Sequence, residues 1–158
     1  MSDLARAKLS QRDQARCDRL SVLAKAAPAR LVDLWTKWLS GAAEPAHILL
    51  RPAEIGTVMV RGRAGAKGAS FNLGEMSVTR CTVRVGDTVG HGTMQGRDKN
   101  AARIVALIDA LAEGGQAAAL DAAILTPLRA ASDQHRASRA AKANATKVQF
   151  FTMVRGDS

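Results

Sequence analysis

Apolar positions along this chain change period twice, from helical spacing to alternation and back. Residues 11 to 26 carry Leu20, Leu23 and Ala24, then Ala27, at helical spacing. Pro28 interrupts this helix or opens the next one. There Leu31, Leu34, Trp35 and Trp38 fall at i, i+3, i+4 and i+7 and form one amphipathic stripe. Gly41 closes that helix as a C′ glycine, and the simplest role of the stripe is to cover the core. Residues 46–51, 55–63, 75–85 and 88–95 then read as strands, with Gly86-Asp87 as the tight turn of a hairpin between the last two. Met76 and Val78 share one face of the third strand, whereas Cys81, Val83 and Val85 share the other. That change of face requires a bulge near Thr79-Arg80 or a sheet covered on both sides.

Residues 98–113 return to helical spacing, with Asp98 as N-cap and Gly114-Gly115 as the stop. Ala101, Ile104, Val105, Ile108, Leu111 and Ala112 form one broad face, widened by Ala106, Leu107 and Ala110, so this helix belongs at the centre of the fold. A further helical stretch begins near Gln116, is broken by Pro127 and continues to about Ala145. Its last part carries Arg129, Arg136, Arg139 and Lys142, with Lys147 just beyond, against Asp133, a face that solvation alone explains. The closing VQFFTMVRGDS has strand composition from Val148 to Val154. A lone terminal strand needs backbone partners, either in the chain's own sheet or at the edge of another protein's sheet. Phe150, Phe151, Met153 and Arg155 are therefore candidate partner-contact residues. The sum is an α+β fold: an antiparallel sheet of about four strands flanked by N-terminal, central and C-terminal helices, plus a short C-terminal strand.

Composition narrows this picture. The chain has 158 residues, enough for one domain, residues 1–158, with a single core. Aromatics are 3% of the chain with no tyrosine, and much of the apolar content is alanine, so the core rests on Ile, Val, Leu and Met. A thin core of this kind suggests stabilisation by a partner. A formal charge of +9 calls for an anionic partner or surface. Single-strand nucleic-acid binders add stacking aromatics to a basic groove, and these are scarce here. A small basic nucleic-acid-binding module is the alternative class, and the aromatic count argues against it. Cys17 and Cys81 suggest neither a disulfide scaffold nor a zinc site, and His47, His91 and His135 lack metal-ligand spacing. The polar N-terminus and the lack of any long apolar run read as cytoplasmic, with no membrane span.

Two segments invite a search for chemistry. GRAGAKGASFNLG, residues 62–74, has no Gly-Lys-Ser or Gly-Lys-Thr as a nucleotide loop requires. A flexible loop between strands is its simplest reading, and a weaker phosphate cradle with Arg61, Arg63 and Lys67 stays open. GHGTMQGRDK, residues 90–99, runs from a strand into the start of the central helix. Helix N-termini favour anions, and His91, Arg97 and Lys99 are the candidate anion or substrate contacts. Glycines 90 and 92 permit close approach by a ligand or another chain. Equally, His91 reads as an ordinary sheet histidine, and Asp98 with Arg97 as a simple cap. No set of residues assembles a catalytic group, so catalytic residues are unknown on spacing alone.

The segments FNLGEMSVTRCTVR (71–84), GHGTMQGRDKNAARIVALIDAL (90–111) and VQFFTMVRGD (148–157) resemble the PhnG family of the phosphonate carbon–phosphorus lyase pathway. RLSVLAKAAPARL (19–31) and LTPLRA (125–130) are similar more loosely. The resemblance implies a transferase subunit working with PhnI, its closest partner, and with PhnH and PhnL. Together they displace adenine from MgATP by an alkylphosphonate to give α-D-ribose 1-alkylphosphonate 5-triphosphate, which PhnJ later cleaves. It implies MgATP as a substrate of the complex and no cofactor held by this chain alone.

Overall fold

The computed structural model describes residues 10–64 and 68–145. Helix α1 (Gln11–Ala24) opens on Ser10, whose hydroxyl accepts the Asp13 N–H at 3.1 Å. Helix α2 (Pro28–Leu39) begins with proline in its first turn, where a missing N–H costs nothing. It ends on Ser40 in the left-handed region (φ 49°), followed by Gly41 at φ 84°. Its stripe packs as expected: Leu31, Leu34 and Trp35 are buried, and half-buried Trp38 stacks on Trp35 with ring centroids 5.1 Å apart.

The sheet is antiparallel and has three strands in the order β1 (Ile48–Arg63), β2 (Ser70–Val85) and β3 (Thr88–Gln95). The two runs 46–51 and 55–63 form one long strand, which is why there are three strands where about four were expected. Pro52 does not end it, because β1 is an edge strand and the ladder is interrupted there. Arg51 pairs with Thr82 and Glu54 with Arg80, so three steps along β1 oppose two along β2. The irregularity thus lies in β1. Strand β2 runs in unbroken register with β3 from Val78 to Val85, so no bulge in β2 interrupts that pairing at Thr79-Arg80. Thr79, Cys81 and Val83 face the core, while Val78 is buried on the reverse face, apart from the main cluster. Gly86, at φ 55°, and Asp87 form the tight turn; a positive φ at the first central position alone is the II′ pattern.

Helix α3 (Lys99–Leu111) is the centre of the molecule, with ten of its residues from Ala101 to Leu111 buried. Asp98 caps it, its carboxylate accepting the Ala101 N–H at 2.8 Å. Beyond Leu111 the chain passes through a wide π-helical turn (Ala112–Gln116) that bends at Gly115, φ 103°. Next come α4 (Ala117–Leu120), a second π turn (Asp121–Leu125) and α5 (Thr126–Ala145). Pro127 sits in the first turn of α5 rather than breaking a helix; the wide turn just before it accommodates the missing donor. Leu120, Ile124, Leu125 and Leu128 carry this second helical layer into the same core as Leu23, Leu31 and α3. Among the described residues no helix is long and apolar enough to cross a membrane.

Candidate functional site

The β3–α3 junction lies where the sequence placed it, and its glycines have a clear structural use. A Cβ on Gly90 would lie 2.0 Å from the Ala106 carbonyl oxygen, and one on Gly92 would lie 2.1 Å from that of Ala102. The close approach is therefore made by the chain's own helix: Ala102, Ala106 and Ala110 seat α3 directly on the β3 backbone. That space is filled, so neither a ligand nor another chain uses it. His91 points the other way, exposed on the outward sheet face, where its Nδ1 lies 3.3 Å from Thr82 Oγ1. Arg97 and Lys99 are exposed on either side of Asp98 and form no ion pair among the described residues. Asp98 itself supplies the negative charge at this helix start. The three candidates thus share the junction without converging on an enclosed pocket. Phe150, Phe151, Met153 and Arg155, with the rest of the C-terminal strand expected at 148–154, lie outside the described residues.

Behind the junction sits a buried ionic cluster. Asp109, fully enclosed on α3, accepts Arg16 Nη2 at 2.7 Å, Arg16 Nε at 3.2 Å, Arg19 Nη2 at 3.1 Å and the His91 backbone N–H at 3.0 Å. One turn on, Glu113 accepts Arg12 at 2.8 Å and Arg19 at 2.7 Å. Arg16 also donates to the Val89 carbonyl at 3.3 Å. Val89 and His91 stand on the free edge of β3, so the cluster both clamps α1 to α3 and satisfies part of an open sheet edge. The bond to Asp109 raises the Arg16 pKa above its usual value. Burial pushes the Glu113 carboxyl up, but hydrogen bonds from Arg12 and Arg19 and the nearby Arg16 charge hold it below the usual carboxylate range. Arg19 Nε is buried with no acceptor, a local cost the surrounding pairs offset. Asp109 was visible in the sequence as a charge in an apolar helix. Its partners were not read, although Arg12, Arg16 and Arg19 follow i, i+4, i+7 spacing and Asp109 and Glu113 follow i, i+4.

A second clamp fixes the loop between α2 and β1. Glu44 accepts from both Arg103 Nη atoms and, at 3.0 Å, from Trp35 Nε1. The Arg103 bond, aided by Trp35, keeps its carboxyl below the usual range. Burial raises the Cys81 thiol pKa, so it stays protonated and inert in the core. Among the described residues no group of three or more His, Cys, Asp or Glu side chains is placed to hold a metal ion.

Among the described residues the exposed large apolar side chains lie elsewhere, on the sheet. Strand β3 pairs with β2 only from Val78 onward, so β1 and β2 beyond Gly56 and Val78 continue as a two-stranded arm. From Ser70 to Ser77 that arm spans about 25 Å. It exposes Met59, Phe71 and Leu73, the last at 66%, while Ile55 near its base and Ile48, Leu49 and Leu50 at the start of β1 are also open. Leu73 stands at a bulge, since Val60 pairs with Gly74 and Arg61 with Asn72. Arg61 and Arg63 flank the apolar positions near the tip.

The model of the family described as phosphonate metabolism protein PhnG matches residues 14–156. A curated protein of Rhizobium meliloti (strain 1021), the α-D-ribose 1-methylphosphonate 5-triphosphate synthase subunit PhnG, is 41% identical over 132 residues. That match covers 83% of this chain and 85% of the relative. The family match takes in the arm, the glycine-seated junction and the helical layer alike, and the chain belongs to the PhnG family.

Proposed function

We propose that this chain is a subunit of the assembly that displaces adenine from MgATP with an alkylphosphonate, giving α-D-ribose 1-alkylphosphonate 5-triphosphate. In this assembly it supports PhnI, the closest partner, alongside PhnH, PhnJ and PhnL, and MgATP enters as a substrate of the complex. The chain's contribution is to order its partner. One observation carries that role: the β1–β2 arm leaves Met59, Phe71 and Leu73 in solvent on an open sheet edge. A two-stranded ribbon with such side chains is marginal alone and invites a further strand or an apolar cleft. Burying the exposed half of each of these side chains at an interface contributes about 1 kcal/mol to it. The C-terminal residues 148–158 belong to the same proposal as a second partner contact.

Co-expression of the tagged chain with its PhnI tests this reading. Stable co-purification is expected for the wild-type chain, and loss of it for the Phe71→Ser/Leu73→Ser double variant. Failure of the wild-type chain to co-purify would overturn the subunit role.

A further inference from the structure

We propose that the chain holds a small phosphate- or phosphonate-bearing anion in a cleft between α5 and the junction of α1 with α2. The cleft has a volume of about 620 Å³, within the range that encloses ligands of nucleotide size. Lys25 and Arg30 edge it from the α1–α2 junction, and Arg129, His135 and Arg136 edge it from α5. Asp133 is the one carboxylate on its wall; against Lys25, Arg30, Arg129 and Arg136 the fixed charge is 4 − 1 = +3. Arg129 is held by Asp121, outside the cleft, at 2.8 Å. Lys25, Arg30 and Arg136 border the cleft and have no ion pair among the described residues, so no carboxylate there holds their charge.

The floor differs from the rim. Val22, Leu128 and Ala131 give it an apolar surface, and Ser21 and Ser132 add hydroxyl groups beside the cations. An apolar floor under a cationic rim suits a ligand that joins an uncharged ring or alkyl group to phosphate or phosphonate oxygens. The opening turn of α2 borders the cleft at Ala27, which offers no side-chain acceptor to the first N–H groups of that helix. Solvation alone explains a cationic helix face, but not three unpaired cations from two separate parts of the chain bordering one cleft with buried Leu128 and half-buried Val22 in its wall. The proposal rests on this cleft and not on the subunit reading, so loss of complex formation would leave it standing.

Titration calorimetry on the full-length chain with sodium tripolyphosphate and with metal-free ATP tests the site. Saturable binding is expected for the wild-type chain, weakened at least about tenfold in Lys25→Gln/Arg136→Gln. Both residues are exposed, so an unchanged thermal melt is expected to confirm that the variant folds; single Arg30→Gln gives an independent, smaller loss. The charge-matched variant Arg97→Gln/Lys99→Gln is expected to bind within about twofold of wild type. Absence of saturable binding would overturn the proposal, as would equal losses in both double variants, which would assign the effect to overall charge. A loss confined to Arg97→Gln/Lys99→Gln would move the anion to the opening of α3. Tighter binding of a mixed-sequence oligonucleotide through Lys25 and Arg136 would replace the small anion with nucleic acid.

Discussion

Asp109 has no exposed surface and accepts four hydrogen bonds, three from arginines and one from the β3 backbone. Removing its charge leaves Arg16 and Arg19 facing each other with only Glu113 between them. Asp109→Asn is therefore expected to cost about 3–5 kcal/mol, seen as a melting temperature lower by roughly 10 °C; an unchanged melt would show the cluster to be incidental. Glu113 gives the pH dependence. Its folded pKa lies below the ordinary 4.5, so between the two values the unfolded chain holds a proton that the native chain lacks. Its stabilisation is thus complete above the ordinary value and is lost as pH falls through the lowered one. Glu44 acts in the same direction. Thermal melts between pH 7 and pH 3 are expected to fall more steeply for wild type than for Glu113→Gln, and parallel curves would contradict this assignment. At this scale the sequence was partly legible: Asp109 is a lone charge in an apolar helix, which by itself also reads as ordinary. The pairing of α1 with α3 was not legible, because spacing within each helix says nothing about which helices meet.

Helix α3 and strand β3 make one unit because small residues face small residues. Gly92→Ala would place a methyl 2.1 Å from the Ala102 carbonyl oxygen, backbone that cannot yield without lifting the helix. The expected loss is about 3 kcal/mol or more, measured by urea unfolding; a loss under about 0.5 kcal/mol would mean that the helix shifts freely. The sequence left Gly90 and Gly92 open to a ligand or another chain, and local pattern does not identify the true neighbour as the helix that begins a few residues later. The merging of residues 46–51 and 55–63 into β1 was hidden by Pro52, which reads as a break. An edge strand tolerates proline where a bulge removes the demand for its N–H. Pro127 misled in the same way, since the preceding π turn makes room for it. Caps, the hairpin turn and the buried face of α3 were legible because each follows from local chemistry alone.

Among the described residues, the core is built from α1, α2, α3, the helices after Leu111 and one face of the sheet, and it leaves the far half of β1 and β2 uncovered. An alanine-rich chain with few aromatics was readable from composition, and with it the expectation of a partner. The proposed docking arm was not readable, because Met59, Phe71 and Leu73 have the residue types of an ordinary buried strand. Only the end of β3 pairing at Val78 reveals that nothing in the described chain covers them. The most direct test is size-exclusion chromatography of the chain co-expressed with its PhnI, comparing wild type with Phe71→Ser/Leu73→Ser. The wild-type chain is expected to elute in one complex with PhnI, and the variant as a folded, separate subunit. A variant that still elutes with PhnI in full yield would contradict docking through the arm.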